Sequence, residues 1–482
     1  MFRRLAILFV LCGSLIAAEK PVKIKAGSIL PLTTQSPLAL DLFERAMVDY
    51  ENMHIERALV GWRAAVKADP DLAVSYTMIA MNCLDPQEAR SAREHANLLS
   101  AKTSPGERLL ISWISNVQQG NFIQGIAAMN DLLAMYPKDK RLHYVAGNWL
   151  MYVQGYDQSQ RLLEKALSID KNYPPALNDL AYVYAHQRQF DRVFEAMDRY
   201  VALLPNEPNP QDSYGELSRM AGNFEAALEH YRAALKIDPQ FVYSQLGLAD
   251  TYALMGNYEQ ARTEYDKAIA GAENPADRLE YRMQRATTWV RDARLAEADK
   301  EFSRIADDAH ASNLDFQEAE AHRRMGDYQA DDALALKQLE SAEQALGHNE
   351  SIAQSDREQE LTRILRFRAV RAQRANEIPV SQRALAQLES LASKTRDGVV
   401  QASWHAARGA LLMQEGKYQE AIAHLAEDQD DPYSLGLLSQ AYAEQGDSDK
   451  KHEVEVRLRS LNVPTIEHSL VVPAARAQRP KL

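Results

Sequence analysis

The chain has 482 residues, of which 46% are hydrophobic and 25% are charged, and its formal net charge is −12. This composition is typical of a folded protein with ample core material, and it excludes a largely disordered chain. The negative balance argues against general nucleic-acid binding, because that function needs a clustered positive field to meet the phosphates.

Residues 1–18 are predicted to form an export signal peptide. A pair of arginines precedes a short apolar core, and Ala17 and Ala18 are small residues suited to cleavage. The apolar core is too short to span about 30 Å of hydrocarbon as a helix. We therefore expect an extracytoplasmic mature protein, periplasmic or secreted. Lipidation at Cys12 is disfavoured, because Leu11 stands where a lipoprotein signal has a small side chain.

Residues 19–38 carry three prolines and no helical period, and they are predicted to form an extended N-terminal lead. Ser36-Pro37 favours a helix start, since serine can cap a helix and proline is tolerated at its first position. Cys83 lies in an apolar run and is expected to be a buried structural thiol. A single mature cysteine permits neither an intrachain disulfide nor a thiolate metal site.

From about residue 39 the chain repeats one pattern of small, aromatic and terminating residues. Two repeats are predicted near 39 and 73, and five more follow in constant register from about 106, 140, 174, 208 and 242. Residues one period apart share a type, as in these sets: Ala181, Gly215 and Ala249; Phe190, Phe224 and Tyr258; Val193, Ala227 and Ala261; Met197, Tyr231 and Tyr265. A fixed 34-residue period of this kind is typical of a helical repeat array.

Each unit of the array is predicted to be a pair of antiparallel helices. Small residues such as Gly215 and Ala227 allow the two helices to approach closely, and Tyr231 fills the adjacent space. Gly222 is expected to end the first helix in the left-handed region, which glycine adopts at least cost. Asn223 is expected to cap the second helix by accepting from its free N–H groups.

Beyond Gly271 the register slips, and the helical pattern continues in a looser form. We divide the chain into a regular array at 39–275, a divergent array at 276–461 and a tail at 462–482 that is predicted to be disordered. The paired-helix pattern occupies the whole of 39–461, which leaves no room for a separate catalytic domain. No segment after the signal approaches eighteen apolar residues, so the mature chain is expected to lack a transmembrane segment.

The segments GNFEAALEHYRAALKIDP (222–239) and GNYEQARTEYDKAI (256–269) closely resemble the tetratricopeptide repeat. The resemblance implies an all-α fold, a right-handed α-solenoid of about twelve antiparallel helix pairs. It also implies a concave surface, lined by the first helix of each pair, that takes an extended peptide or a partner's helix. The positions that map onto this surface are Tyr144, Asn148, Met151, Tyr152, Asn178, Tyr182, His186, Asp212, Glu216, Arg219 and Asp250.

No constellation of catalytic or metal-binding residues is found. The twelve histidines are scattered, and neither an HExxH nor a GxSxG motif occurs. We therefore predict no catalytic residue, metal or cofactor. The acidic run at 427–431 lacks the glycine and the closing glutamate of a calcium loop and is interpreted as a connector.

One helix, predicted within 355–396, is rich in arginine. Four of its arginines form a candidate anion-binding strip, and the alternative is an ordinary solvated face balanced by nearby carboxylates. These arginines are Arg363, Arg366, Arg371 and Arg374.

Three functions fit these observations. The first is a non-enzymatic, extracytoplasmic scaffold that binds a protein or peptide on its concave face. The second is a binding module for a cell-wall polymer or glycan, which an aromatic strip would also suit. The third is an enzyme, and the missing nucleophile–base and metal constellations argue against it. The pattern does not identify the partner, the pathway or the oligomeric state.

Overall fold

The computed structural model describes residues 29–272, 274–347 and 351–477, and within these ranges every regular element is helical. The regular half comprises α1 (Pro37–Glu51), α2 (Ile55–Ala68), α3 (Ala73–Asn82), α4 (Pro86–Leu99), a 3₁₀ turn (Ser100–Lys102), α5 (Pro105–Gln118), α6 (Phe122–Met135), α7 (Lys140–Tyr152), α8 (Tyr156–Ile169), α9 (Pro174–His186), α10 (Phe190–Leu203), α11 (Pro208–Met220), α12 (Phe224–Ile237), α13 (Val242–Leu254) and α14 (Tyr258–Gly271). The remainder comprises α15 (Pro275–Arg291), α16 (Leu295–Ala311), α17 (Asp315–Tyr328), α18 (Asp332–Gly347), α19 (Gln354–Arg374), α20 (Ile378–Lys394), α21 (Gly398–Gln414), α22 (Tyr418–Leu425), α23 (Pro432–Glu444), α24 (Ser448–Arg459) and α25 (Ile466–Ala477).

The helices α1 to α24 pack as twelve successive pairs, and the pairs stack on one another along the described chain. From the fourth pair onward, the first helix of each pair also contacts the first helix of the next. These helices therefore form one continuous layer. The prediction of an all-α solenoid of about twelve helix pairs is confirmed, and the five regular pairs begin within one residue of the predicted positions.

Close approach inside a pair depends on glycine, as predicted, and so does the approach between adjacent pairs. A Cβ added at Gly215 would lie 2.9 Å from the ring of Tyr231, and one added at Gly247 would lie 2.2 Å from it. Tyr231 is almost completely buried, with the small residue Ala227 beside it on α12. The ring thus fills the space that two glycines leave open.

The two predicted caps have different outcomes. Ser36 accepts a hydrogen bond from the backbone N–H of Ala39, which confirms the predicted start of α1. Asn223 makes no side-chain cap bond, so that prediction is wrong. The tight turn supplies the reason. Gly222 has a φ of +88° as predicted, and the backbone N–H of Asn223 donates to Ser218 at 2.8 Å.

The same turn position adopts positive φ at period 34 even where the residue is not glycine. Gly120, Gln154, Arg188, Gly222 and Gly256 all show it. The period therefore specifies a backbone conformation rather than a residue type.

Ala293 occupies such a turn with a φ of 56°. Replacing it by glycine is expected to raise the free energy of unfolding by about 0.5–1 kcal/mol, because the left-handed region costs an L-residue about 1–2 kcal/mol and glycine loses part of that gain as chain entropy. The control is Ala296→Gly, an exposed helical site in α16, which is expected to destabilise the protein. Urea unfolding measures both variants. Two changes of the same sign would contradict the prediction.

Both ends of the described chain depart from simple stacking. The described part of the lead, 29–36, contains no helix, yet Leu30 donates to Asp139 Oδ2 at 2.8 Å and Thr33 donates to Glu107 Oε1 at 2.8 Å.

The predicted signal peptide at 1–18 lies outside the described residues. Within the described ranges, no helix is long and apolar enough to cross a membrane.

The predicted disordered tail requires correction. Most of it forms α25, which buries Ile466, His468 and Val472 against α15, α17, α23 and α24. The three prolines of 462–482 indicated disorder, but the segment contains a helix. Packing against other helices stabilises it, and not intrinsic helix propensity. We call residues 460–477 the C-terminal arm.

Candidate binding surface

The layer of first helices carries most of the predicted surface residues. Residues at matching phases, such as Asn148, Tyr182, Glu216 and Asp250, come from α7, α9, α11 and α13. Because adjacent first helices touch, these side chains lie side by side along the layer. The structure divides the face that carries these residues into covered and open parts.

The pair α1–α2, which we call the N-terminal hairpin, covers the part of the face near the starts of the first helices. Tyr50 packs edge-on to Tyr144 at 6.3 Å, and its hydroxyl donates to Asn148 Oδ1 at 3.3 Å. Tyr173 donates to Glu51 at 2.8 Å. Tyr144 and Asn148 are buried as a result. The prediction that both belong to a free binding surface is corrected.

The C-terminal arm covers the opposite part of the face. Arg219 is buried and donates to the backbone carbonyl of Asn462 at 2.8 Å. Arg291 donates to the carbonyl of Thr465 at 2.9 Å and to His468 Nδ1 at 2.8 Å. Burial and the nearby arginines lower the pKa of His468 to about 2, so it stays neutral in this contact. Arg219 is thus engaged within the chain and is not a free surface residue.

His186 is also engaged within the chain. Its ring stacks on Tyr156 at 4.5 Å, and its Nδ1 lies 3.3 Å from Asp430 Oδ2. Asp430 belongs to the connector between α22 and α23, so a late segment reaches the end of α9. His186, which was predicted to bind a partner, therefore joins the end of α9 to the connector between α22 and α23.

Between the two covered parts lies a part of the face that remains accessible, which we call the open strip. It consists of Met151, Tyr152, Tyr182, Glu216 and Tyr243. Tyr152 and Tyr243 are 65% and 40% exposed, and the side chain of Glu216 is 38% exposed. Tyr182 is half-buried and donates to Glu216 Oε2 at 2.9 Å. Tyr152 and Tyr182, two of the three tyrosines among the mapped positions, thus line the accessible region.

Carboxylates are buried beside the open strip. Asp179 accepts from the amide of Asn148 at 2.8 Å, and Asp212 accepts from the hydroxyl of Ser244 at 2.6 Å. Burial raises the pKa of Asp179 to about 6 and that of Asp212 to about 7. Asp250 accepts from Tyr265, and its pKa is likewise raised to about 6 by burial. These three carboxylates accept hydrogen bonds, but the bonds do not offset the whole cost of burying their charge.

Asp212→Asn is expected to raise the free energy of unfolding at pH 8 by about 2 kcal/mol. This is about half of the energy that corresponds to the pKa shift of Asp212, because relaxation and water penetration reduce the cost of a buried charge. The folded pKa of Asp212 is raised, so the native state binds more protons than the unfolded state between about pH 4 and pH 7. The stability associated with Asp212 is therefore present below that window and is lost as the pH rises through it. Asparagine can still accept from Ser244.

The measurement is urea unfolding of the wild type and Asp212→Asn at pH 4 and pH 8. Most of the difference between them should be lost at pH 4, where the carboxyl is neutral in the native state and only about half ionised in the unfolded state. An equal difference at both pH values would contradict an electrostatic origin.

The arginines of α19 do not form the free positive strip that was predicted as an anion site. Arg366 lies 2.7 Å from Asp431 and 3.4 Å from Asp428, and it is largely buried. Arg371 pairs with Asp332 at 2.9 Å, and Arg374 approaches the same carboxylate at 3.3 Å. Arg363 lies 3.2 Å from Glu360. Each of the four arginines is thus paired with a carboxylate. The side chains of Arg366 and Arg371 are largely buried, whereas those of Arg363 and Arg374 are 39% and 50% exposed.

The acidic run 427–431 has a role that sequence reasoning missed. Asp431 caps α23 by accepting from the N–H of Ser434 at 2.9 Å and also pairs with Arg366. Asp430 pairs with Arg457 at 3.3 Å in addition to contacting His186. The sequence signal was the aspartate immediately before proline, which is typical of a helix start. Nothing in the pattern indicated the long-range partners.

The described residues contain no group of three or more histidine, cysteine or acidic side chains that could hold a metal ion. Cys83 is half-buried, and its Sγ donates to Glu88 Oε2 at 3.2 Å. Burial, followed by the bond to Glu88, raises the pKa of Cys83 to about 11. The thiol is therefore held protonated at neutral pH, which is expected of a structural cysteine.

A cavity of about 760 Å³ lies away from the open strip, where the turn between α5 and α6 faces α19 and α20. Amide and basic side chains line it, including Gln118, Gln354, Arg93 and Lys394. Together with the contact between α5 and α19, it shows that one turn of the solenoid packs against the next.

These features define the class of the molecule: an α-solenoid of stacked helix pairs whose ends fold back onto its inner layer. Residues 218–286 match the family model of the tetratricopeptide repeat. This match shows a tetratricopeptide-repeat region at 218–286, and the helix pairs of the same 34-residue period continue on its N-terminal side. A fold of this kind suggests a protein–protein interaction scaffold.

Curated relatives are similar over part of their lengths. The TPR repeat-containing protein YpiA of Bacillus subtilis is 25% identical over 158 residues, which cover 32% of this chain and 37% of that protein. Human Protein O-mannosyl-transferase TMTC1 is 21% identical over 178 residues, covering 34% of this chain and 20% of that protein. The solved structure of yeast Tom70 has 15% identity and a TM-score of 0.43, covering 87% of this chain and 99% of that chain.

The chain therefore spans well under half the length of these curated relatives. One of them is named as a transferase, but the short coverage transfers no activity to this chain. Tetratricopeptide scaffolds are generally non-enzymatic.

Proposed function

We propose that the protein is a non-enzymatic, extracytoplasmic scaffold that binds an extended segment of a protein partner on the open strip of its inner layer. The observation that carries the proposal is that the same layer already holds an extended segment of its own chain. Residues 461–465 have no regular structure, and arginines of the first helices donate to their backbone carbonyls. Such contacts recognise a peptide backbone largely independently of its sequence.

The open strip supplies what a second segment would need. Tyr152 and Tyr243 offer large, accessible aromatic surfaces, which give contact area at low entropic cost. Glu216 adds an accessible acceptor between the helices that carry them. The surface lies next to the C-terminal arm and not beneath it.

The test is site-specific photo-crosslinking in the native source. A benzophenone amino acid is placed at position 152 and, as the control, at position 98, where Leu98 is exposed on α4, the second helix of its pair. We expect a discrete protein adduct at position 152 that is absent at position 98. Tyr243→Ala should remove that adduct, because the substitution deletes the neighbouring aromatic surface without touching the crosslinker. Identical adducts at both positions would overturn the proposal.

The extracytoplasmic location is part of the proposal and is supported by the signal-like pattern of residues 1–18. Cell fractionation with sequencing of the mature N-terminus tests it. A mature protein that begins near Glu19 in the extracytoplasmic fraction supports the location. An intact N-terminus in the cytoplasmic fraction would contradict it.

A cell-wall polymer or glycan is the second candidate ligand, since exposed tyrosine faces also stack on sugars. The favouring observation is the exposure of Tyr152 and Tyr243. Co-sedimentation with insoluble wall material, compared with Tyr152→Ala, separates the two candidates. Sedimentation that depends on Tyr152, without a protein adduct at that position, would favour the polymer.

A further inference from the structure

Two histidines of the pair α21–α22 face each other. His405 lies on α21 and His424 on α22, and their Nδ1 atoms are 3.1 Å apart. Gly409 explains this approach, because a Cβ added there would lie 2.6 Å from the side chain of Leu425. Gly409 follows His405 by one helical turn, and Leu425 follows His424 directly. The close packing that the glycine permits therefore brings the two imidazoles together.

The same position links the two helices of other pairs. In three of them, side chains with the same separation of 19 residues are in contact. These contacts are Gln211 with His230 at 2.7 Å, Gln245 with Glu264 at 2.7 Å and Arg282 with Glu301 at 3.3 Å. Each of them joins two different groups in an ordinary hydrogen bond or ion pair. In α21–α22 both groups are imidazoles, which are also metal ligands.

The separation of the two Nδ1 atoms matches that of two ligands on one metal ion. Bonds from zinc to imidazole nitrogen are about 2.0–2.1 Å long, so two nitrogens that bind one ion at an angle of about 90–110° lie about 2.9–3.4 Å apart. Without an ion, one ring donates its Nδ1–H to the lone pair of the other. When an ion binds, the donating ring adopts its other neutral tautomer, with the proton on Nε2, and no net proton is released. Rotation of the rings then turns both lone pairs towards the ion.

The surroundings favour neutral imidazoles that a cation can reach. Burial lowers the pKa of His405 and of His424, so both are neutral at neutral pH, and the neutral ring is the form that binds a metal. Both side chains nevertheless remain partly exposed. The carboxylates of Glu420 and Glu427 and the guanidinium of Arg408 act on His424. Two negative charges against one positive charge favour an approaching cation.

We propose that His405 and His424 form a binding site for a divalent ion of the late first transition row, the class that comprises Ni²⁺, Cu²⁺ and Zn²⁺. The two Nδ1 atoms supply adjacent ligands, and water completes the coordination, since the described residues contain no group of three or more protein ligands. Imidazole suits these ions, whereas Mg²⁺ and Ca²⁺ prefer oxygen. The bound ion joins α21 to α22 where other pairs use a hydrogen bond or an ion pair.

The test is isothermal titration calorimetry of the purified, tag-free protein with CuCl₂, NiCl₂, ZnCl₂ and MgCl₂ in separate experiments at neutral pH. Cu²⁺ should bind most tightly, which is the usual order for nitrogen ligands, and Mg²⁺ should not bind. His405→Gln and His424→Gln should each weaken Cu²⁺ binding at least tenfold, because each removes one of two ligands. His452→Gln is the matched control, since His452 is exposed on α24, and its Kd should equal that of the wild type.

His405→Gln is expected to fold normally, because Gln211 and His230 already form the same combination in α11–α12. Circular dichroism checks the fold of both variants. If His424→Gln misfolds, His405→Gln alone decides the result.

Trp404 provides a second, local measurement. Its ring centroid lies 4.5 Å from that of His405 and 5.3 Å from that of His424. Cu²⁺ bound between the histidines should quench the fluorescence of Trp404, and this part of the quenching should be lost in Trp404→Phe and in His405→Gln. An equal Kd for the wild type and His405→Gln, quenching of Trp404 that survives His405→Gln, or binding of all these ions at millimolar concentrations only would overturn the inference.

Discussion

Arg323→Met is expected to lower the free energy of unfolding by about 3–5 kcal/mol. Arg323 lies 2.5 Å from Glu360 and 3.1 Å from Asp327, and all three side chains are buried. Asp327 Oδ2 accepts from Arg323, Asp327 Oδ1 has no hydrogen-bond partner, and burial holds the pKa of Asp327 well above its usual value. Removing the shared cation leaves two buried carboxylates without their main partner, which is the costly way to break a buried ion pair.

Urea unfolding monitored by circular dichroism measures this change. The control is Arg45→Met, since Arg45 and Asp41 form an exposed pair at 2.9 Å on α1 that should contribute less than about 1 kcal/mol. A third variant replaces Arg323, Asp327 and Glu360 with apolar residues together, and it should recover most of the lost stability. If Arg323→Met cost no more than Arg45→Met, the buried network would not be a major source of stability.

Val472→Asp is expected to destabilise the protein by about 4 kcal/mol or to detach the C-terminal arm. Val472 is 0% exposed and packs with Leu435, Leu458 and Leu461. An unpaired carboxylate in this apolar cluster combines lost burial with a large desolvation cost. When the arm leaves, the buried Arg219 also loses its carbonyl acceptor.

Ala474→Asp is the matched control, because Ala474 is exposed on the same helix two residues further on. Thermal unfolding distinguishes a global loss of stability from a local one. Limited proteolysis should show faster cleavage within the arm of Val472→Asp and unchanged cleavage for Ala474→Asp. Equal behaviour of the two variants would show that the arm contributes little to the fold.

Most of the architecture could be predicted because a repeat is a local signal. The positions of Gly215, Gly222 and Tyr231 recur every 34 residues, and each has a physical role within one pair or between adjacent pairs. Pairs that contact only their neighbours can be placed from such a pattern. The same phase also placed Tyr152, Tyr182 and Glu216 on one face.

The accessible part of that face could not be predicted, because accessibility depends on residues far away in the chain. Tyr144 was expected to lie on the binding surface, but Tyr50, 94 positions earlier in the chain, covers it. Arg366 was expected to be solvated or anion-binding, but aspartates more than 60 positions later pair with it. Repeat phase carries no information about such partners.

The arm shows a second limit of pattern reading. Ile466, His468 and Val472 do not form a strong helical stripe, and Pro473 lies inside the helix. The segment is helical because it packs against buried clusters on α15, α17 and α23. Tertiary packing thus outweighed a composition that is typical of disorder.

The contacts that fold the ends of the solenoid inward also impose an order of events on its synthesis. Asp430 reaches Tyr156, which the ribosome makes 274 residues earlier, and Asn462 reaches Arg219 across 243 residues. The early pairs can form as they emerge, because each needs only its neighbours. Closure, however, must wait for nearly the whole polypeptide, and contacts of such high sequence separation form slowly. The nascent molecule is therefore expected to pass through an unclosed stage in which the face that carries Tyr152 and Glu216 is open from the side.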